Sequence, residues 1–156
     1  MDDKCKPHES RVKALALDVP GTKQGGWAAL HSSGEISVGD IQFDPTQSEA
    51  ACYRELYALL DRLSPEILVL EWPFLWVIAT NLGVVKGWAA MHHVGWWQIQ
   101  PSRAKKLILG RGNLPKKDVQ SWARARLGRE VTTHVADALM YLETWRGCQN
   151  QDRGAR

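Results

Sequence analysis

The sequence predicts an α/β protein built on a five-stranded mixed sheet flanked by helices, and three observations carry that expectation. Three strand patterns separated by turn residues open the chain, as in an antiparallel meander. Helix, apolar strand, helix and strand then alternate, which requires parallel strands joined by crossovers. From Pro101 onward the pattern is helical.

Val12–Leu17 (VKALAL) reads as a buried strand that ends at Asp18 and turns at Pro20-Gly21. Gly26–His31 and Glu35–Phe43 read as two further strands joined through Ser33-Gly34. Thr46 with Glu49 fits a capping box opening a helix, with Cys52, Leu56, Leu59, Leu60 and Leu63 as its apolar stripe and Pro65 as its stop. Ile67–Leu70 is short, β-branched and unbroken, the pattern of a central strand buried on both faces. It ends at Glu71.

A helix is expected from about Trp76 to His92. Its Ala79, Gly83 and Gly87 form a smooth strip that suits either a helix in a subunit contact or packing on the chain's own sheet. Gly95–Ile99 reads as the fifth strand. A glycine-bearing loop, Gly110-Arg111-Gly112-Asn113, interrupts the segment opened by Pro101. Pro115 suits the first turn of a helix burying Val119, Trp122, Ala123 and Leu127. Thr132 or Thr133 can cap a last helix with a stripe of Val135, Ala138, Leu139, Leu142 and Trp145. The expected organisation is one domain over 1–156, with its core at about 11–147 and loose tails.

Composition narrows the function. Hydrophobic residues at 44% and charged residues at 24% exclude a disordered chain. Three cysteines without a CxxC pair argue against a disulfide framework or a structural zinc site, and fit a reducing cytoplasm. Asn81 and Lys86 break the longest apolar stretch, which argues against a membrane span. Residues 101–129 hold nine Lys or Arg and one acid, a charge of +8, which leaves −5 for the rest of a chain whose total is +3. That asymmetry points to a polyanion partner, although a solvated helix face also carries such charge. Most of the eight tryptophans are expected in the core, and exposed ones can stack on bases.

Asp18 and Glu71 each follow a strand, where α/β sites collect, and two carboxylates brought together there repel unless a cation intervenes. His134 and Asp137 are spaced i, i+3 and share a helix face. An oxygen-rich set with one imidazole suits Mg²⁺ or Mn²⁺, and a pair of such ions supports phosphodiester hydrolysis. Each acid alone also reads as an ordinary strand-end or first-turn residue. Lys105 and Lys116 flank the glycine loop, where either can hold a phosphate. The apolar run Trp72-Pro73-Phe74-Leu75-Trp76 can stack on unpaired bases or cap the core.

These pieces together resemble the RuvC family of Holliday-junction resolvases, within the RNase H-like superfamily. The resemblance runs from about Lys13 to Trp145. It is carried by ALALDVPGTKQGGWAAL, PEILVLEWPF, NLGVVKGWAA, PSRAKKLILGRGNLPKKDVQSWARARLG and HVADALMYLETW. It implies an RNase H-like fold and a Mg²⁺-dependent endonuclease on four-way or related branched DNA, with two ions per site and a homodimeric assembly. It further implies Asp18, Glu71 and Asp137 as metal-binding carboxylates, with His134 where many members have aspartate. Some RuvC-like enzymes carry histidine there, and the resemblance leaves His134 either as a metal ligand or as general base. Lys105 and Lys116 match the family's phosphate-contacting lysines, and Phe74 its branch-point aromatic. Arg103, Lys106, Arg111 and Lys117 fall in the same DNA-binding stretch. The turn Asp18-Val19-Pro20-Gly21 departs from the family's D-P-G, and the short, tryptophan-rich chain fits a phage or divergent member. A less selective nuclease of the same fold and a non-catalytic junction-binding module are the alternatives.

Overall fold

The computed structural model describes residues 10–21, 23–73 and 75–154. The elements run β1 (Val12–Asp18), β2 (Gln24–His31), β3 (Ile36–Gln42), α1 (Glu49–Leu63), β4 (Ile67–Glu71), α2 (Trp76–Met91), β5 (Gly95–Ile99), α3 (Pro101–Leu109), α4 (Lys116–Leu127) and α5 (Thr133–Gly154). They form the expected five-stranded sheet, in the order β3-β2-β1-β4-β5. The pairs β1·β2 and β2·β3 are antiparallel; β1·β4 and β4·β5 are parallel.

Period-two alternation sorts each strand's side chains between two helical layers. Leu15, Leu17, Leu68 and Leu70 face α1 and α2, packing with Leu56, Leu60, Leu82, Val85 and Trp88. On the other face Ala14, Ala16, Ala28 and Val69 meet α5, with Val119 and Ala123 of α4 in the same cluster. The alanines make that face shallow, so α5 lies close over β1 and β2. Gly26 carries the tightest point: a Cβ there would stand 2.5 Å from the backbone carbon of His134 and from the nitrogen of Val135. Sandwiched between sheet and helices, α5 buries Ala136, Met140 and Tyr141 besides its expected stripe. It is covered nearly all round rather than along one side.

Several boundaries differ from expectation for local reasons. Ser48, not Thr46, caps α1 by accepting from the Ala51 N–H at 3.2 Å. Thr46 is engaged elsewhere: its backbone N–H (2.8 Å) and hydroxyl (2.7 Å) both donate to Asp44 Oδ1. Pro115 stands just outside α4, as its N-cap, rather than in the first turn. No proline interrupts the C-terminal segment, and α5 continues as helix through Gly154, past the expected core limit at 147. The expected N-terminal tail, with Cys5, lies largely outside the described residues. Among the described residues Cys52 and Cys148 are free thiols, and no helix is long and apolar enough to cross a membrane.

Most of the tryptophans are in or against the core, as expected: Trp88 is buried, and Trp27, Trp97, Trp122 and Trp145 pack on the two clusters. Trp88 is 2% exposed, whereas Trp72, Trp76 and Trp96 are 54%, 87% and 43% exposed. On α2, Leu82, Val85, Trp88 and Ala89 take the sheet-facing role. Gly83 and Gly87 are exposed, so packing on the chain's own sheet does not explain the smooth strip.

Gly26→Ala is expected to destabilise the chain by about 2–4 kcal/mol, because backbone blocks the added methyl. Gly147→Ala, where a Cβ meets nothing within 4 Å inside a helix, is expected to stabilise by roughly 0.5–1 kcal/mol. Paired urea melts decide; equal midpoints for the two variants would contradict the packing described.

Candidate active site

The carboxylates converge because strand parity and register agree. Asp18 shares the α5 face of β1 with Ala14 and Ala16, and Glu71 shares that face of β4 with Val69. The parallel register runs from Ala14↔Ile67 to Leu17↔Leu70, so Asp18 and Glu71 leave adjacent strands at the same level. Strand spacing sets their backbones about 5 Å apart. Above them, the first turns of α5 supply His134 and Asp137.

Thr132 sets the start of that helix, settling which threonine caps it. Its hydroxyl accepts from the Val135 N–H at 3.2 Å and donates to Asp40 Oδ1 of β3 at 2.5 Å. His134 Nδ1 donates to Asp18 Oδ2 at 2.6 Å, joining the end of β1 to the start of α5. The turn after Asp18 is held from the other side by the Asn81 amide of α2, which donates to the Pro20 carbonyl at 2.5 Å. A Cβ on Gly25 would stand 2.4 Å from the Asp18 carbonyl, so a small residue is needed there as well.

The electrostatics are those of crowded negative charge. Glu71 is 7% exposed and its Oε1 has no hydrogen-bond partner. Burial, reinforced by Asp18 and Asp137, pushes its carboxyl up to about 8, against the opposing pull of Lys116 and His134. Burial and then Asp18 raise Asp137 to about 6, opposed by Lys116, Lys105 and His134. The hydrogen bond to Asp18 raises the His134 imidazole above its usual range, against desolvation. Tyr141, one turn beyond Asp137, is held well above the ordinary phenol range by burial and by the same three carboxylates.

All four sequence-predicted site residues are therefore brought together. As they stand, no three His, Cys, Asp or Glu side chains among the described residues close into a metal cage. Asp18 is turned to His134 instead. The donor set nonetheless fits a hard divalent cation: three carboxylates, one imidazole, a buried unpartnered oxygen, and mutual repulsion that a cation relieves.

The basic residues divide. Lys105 and Lys116 are close enough to act on Asp137, and Lys105 Nζ also donates to the Leu114 carbonyl at 2.9 Å. Arg103, Lys106, Arg111 and Lys117 are exposed around the same loop and make no ion pair among the described residues. Arg124 and Arg126, by contrast, are neutralised by Glu130 and Glu143. Gly110 ends α3 at φ 82°, and a Cβ on Gly112 would stand 2.9 Å from the Ser102 carbonyl, which accounts for the G-x-G spacing. Phe74 lies outside the described residues.

Sequence reasoning missed Gly25, Gly26, Asp40 and Tyr141. The Gly-Gly pair inside a strand was the available signal. Asp40 and Tyr141 carry none, since their roles follow from contacts across the fold.

The sheet order and the helical layers are those of the RNase H-like fold. The chain is 29% identical to the RuvC crossover junction endodeoxyribonuclease of Syntrophomonas wolfei, across 81% of this chain and 82% of that one. It is 26% identical to the RuvC of Chlamydia caviae, across 65% and 70%. Among solved structures, Thermus thermophilus RuvC in complex with Holliday junction substrate superposes with a TM-score of 0.63 at 19% identity, covering 82% of this chain and 88% of that one. The fowlpox virus Holliday junction resolvase gives 0.59 at 14% identity, covering 87% and 98%. No family model matches. Over most of its length the chain is similar to RuvC crossover junction endodeoxyribonucleases and shares the fold of the solved resolvases.

The raised carboxyl values make stability pH-dependent. Glu71 and Asp137 hold their protons more tightly folded than unfolded, so their contribution is full below pH about 4 and is lost as pH rises toward 8. In EDTA the melting temperature should fall by several degrees between pH 5 and 8, equivalent to about 1 kcal/mol or more. Mg²⁺ or Mn²⁺ should restore it most at the high end. A flat profile, unchanged in Glu71→Gln, would count against the charge crowding described.

Proposed function

We propose that this chain is a divalent-metal-dependent, structure-selective endonuclease that resolves four-way DNA junctions. The observation that carries the proposal is the meeting of Asp18, Glu71, Asp137 and His134 on one face of the sheet, with Lys105 and Lys116 beside them. The names of the chain's relatives support it. RuvC of Thermus thermophilus and the fowlpox virus resolvase each have a solved complex with Holliday junction DNA.

Asp18, Glu71 and Asp137 would hold the cation, with His134 as a further ligand or as general base. Mg²⁺, with Mn²⁺ as a substitute and two ions per site, would set positive charge against the phosphodiester oxygens and lower the pKa of water. Lys105 and Lys116 bind the flanking phosphates and orient the strand without reading its bases. Arg103, Lys106, Arg111 and Lys117 extend that contact along the backbone, and Phe74, outside the described residues, would be the branch-point aromatic. His134, oriented by its Nδ1 bond to Asp18, presents Nε2 to accept a proton from the attacking water. A homodimer would place two such sites against opposed strands. The exposed face of α2, bearing Gly83, Gly87 and Trp76, is its interface in this reading.

A synthetic four-way junction with Mg²⁺ is expected to be nicked in paired, opposed strands, and flap and Y-shaped substrates more slowly. Asp18→Asn or Asp137→Asn is expected to lower the rate by roughly 10³-fold or more while junction binding persists. Equal rates for Asp18→Asn and wild type would sink the assignment. Lys116→Ala should weaken junction binding and reduce the slope of log K against log salt by about 1. With saturating Mg²⁺, His134→Asp should move the acid limb of the pH–rate profile downward, because the imidazole must lose a proton that Asp18 helps it keep. An unmoved limb would remove the general-base role.

A further inference from the structure

A second feature lies at the free edge of the sheet. β5 is the last strand, and a cleft of about 520 Å³ opens beside it, lined by Trp72, Trp97, Ile99, Gln100, Arg103 and Leu107. Its volume is within the roughly 300–1,000 Å³ of small-ligand sites. Trp72 directly follows Glu71, and its N–H donates to the Ile99 carbonyl at 2.8 Å, which ties the start of the loop to the β5 edge. The Trp72 side chain remains half in solvent.

The lining is not that of a core defect. Among the described residues, Arg103 has neither an ion pair nor a side-chain hydrogen bond, and the Gln100 carboxamide has no partner. An apolar protein surface docking here would strip water from an unpaired guanidinium at a cost of several kcal/mol. A nucleobase carries the opposite requirements: a π face for the indole, an edge of acceptors and donors for the carboxamide and guanidinium, and an attached phosphate for the positive charge. The cleft begins one residue from Glu71, within reach of a nucleotide next to a phosphate held at the carboxylates. α3, which forms one wall, carries Arg103, Lys105 and Lys106 and no acid.

We infer that this cleft receives one unstacked nucleobase of the strand being cut, and that Trp72 is the platform on which it stacks. The inference rests on the nuclease reading of the Glu71 site and adds to it a base-contacting subsite beside the scissile phosphate. Trp72 then makes cleavage depend on a base, where the lysines respond to phosphate alone.

The test is a cycle between substrate base and side chain. Junctions carrying a single abasic site at each nucleotide flanking the cleaved phosphate are compared for wild type, Trp72→Ala and Trp72→Phe. At one position, loss of the base should lower wild-type kcat/KM about tenfold, the size of one base-on-aromatic stack. The penalty should shrink below about twofold in Trp72→Ala and persist in Trp72→Phe. Independently of cleavage, 2-aminopurine at that position should change its fluorescence on binding wild type in EDTA, and not on binding Trp72→Ala. The same abasic penalty in all three proteins at every position overturns the inference. So does a change in sedimentation mass for Trp72→Ala, which assigns the cleft to a second copy of the chain. A fluorescence change without cleavage of any junction would retain the base subsite and reject the nuclease reading.

Discussion

The close approach of α5 to the sheet is the constraint on which the rest of this structure depends. Four ionisable groups from three separated parts of the chain meet only because a helix can settle over β1 and β2 with almost no side chain between. Alanines at positions 14, 16 and 28 and glycine at 26 remove that obstacle. A larger residue in that column would lift the first turn of α5, and His134 and Asp137 with it. The packing stabilises the fold through apolar burial, yet its consequence is electrostatic: it presses carboxylates together in a poorly solvated place.

That crowding has a cost which the chain offsets only in part. Glu71 has lost most of its water and one oxygen has gained no partner. Asp18 accepts a hydrogen bond from His134, and Lys105 and Lys116 supply positive charge from α3 and α4. These are partial compensations, and the upward shift of the Glu71 and Asp137 carboxyls reflects what is left over. A cation would relieve that repulsion, and in the proposed function a phosphodiester would bring its own negative charge to the lysines. The basic segment is accordingly divided: Arg124 and Arg126 are spent on Glu130 and Glu143, while the earlier cations, on α3, the loop and the start of α4, make no ion pair among the described residues.

Much of this was legible in the chain. The five strands, their mixed pairing and the helices were readable because period-two and period-3.6 patterns here are long and punctuated by Pro and Gly. The misreadings were local competitions between similar groups. Thr46 lost the cap of α1 to Ser48 because Asp44 had already engaged it. Most tryptophans do lie in or against the core, as their large area predicts, and three stand in solvent on α2, on β5 and in the loop after β4.

The sequence by itself determined the alternation that makes the sheet, the residue types able to hold a cation, and the uneven distribution of charge. These are properties of neighbours along the chain, where spacing of a few residues fixes which side chains share a face. Only the tertiary structure decided that Asp18 bonds His134 across 116 positions, that Asp40 steadies the cap of α5, and that Tyr141 lies under the carboxylates. It also decided which cations remain free and that Trp72 borders a cleft. The reason is physical: burial, desolvation and charge coupling depend on distance in space, which the packing of α5 against the sheet sets.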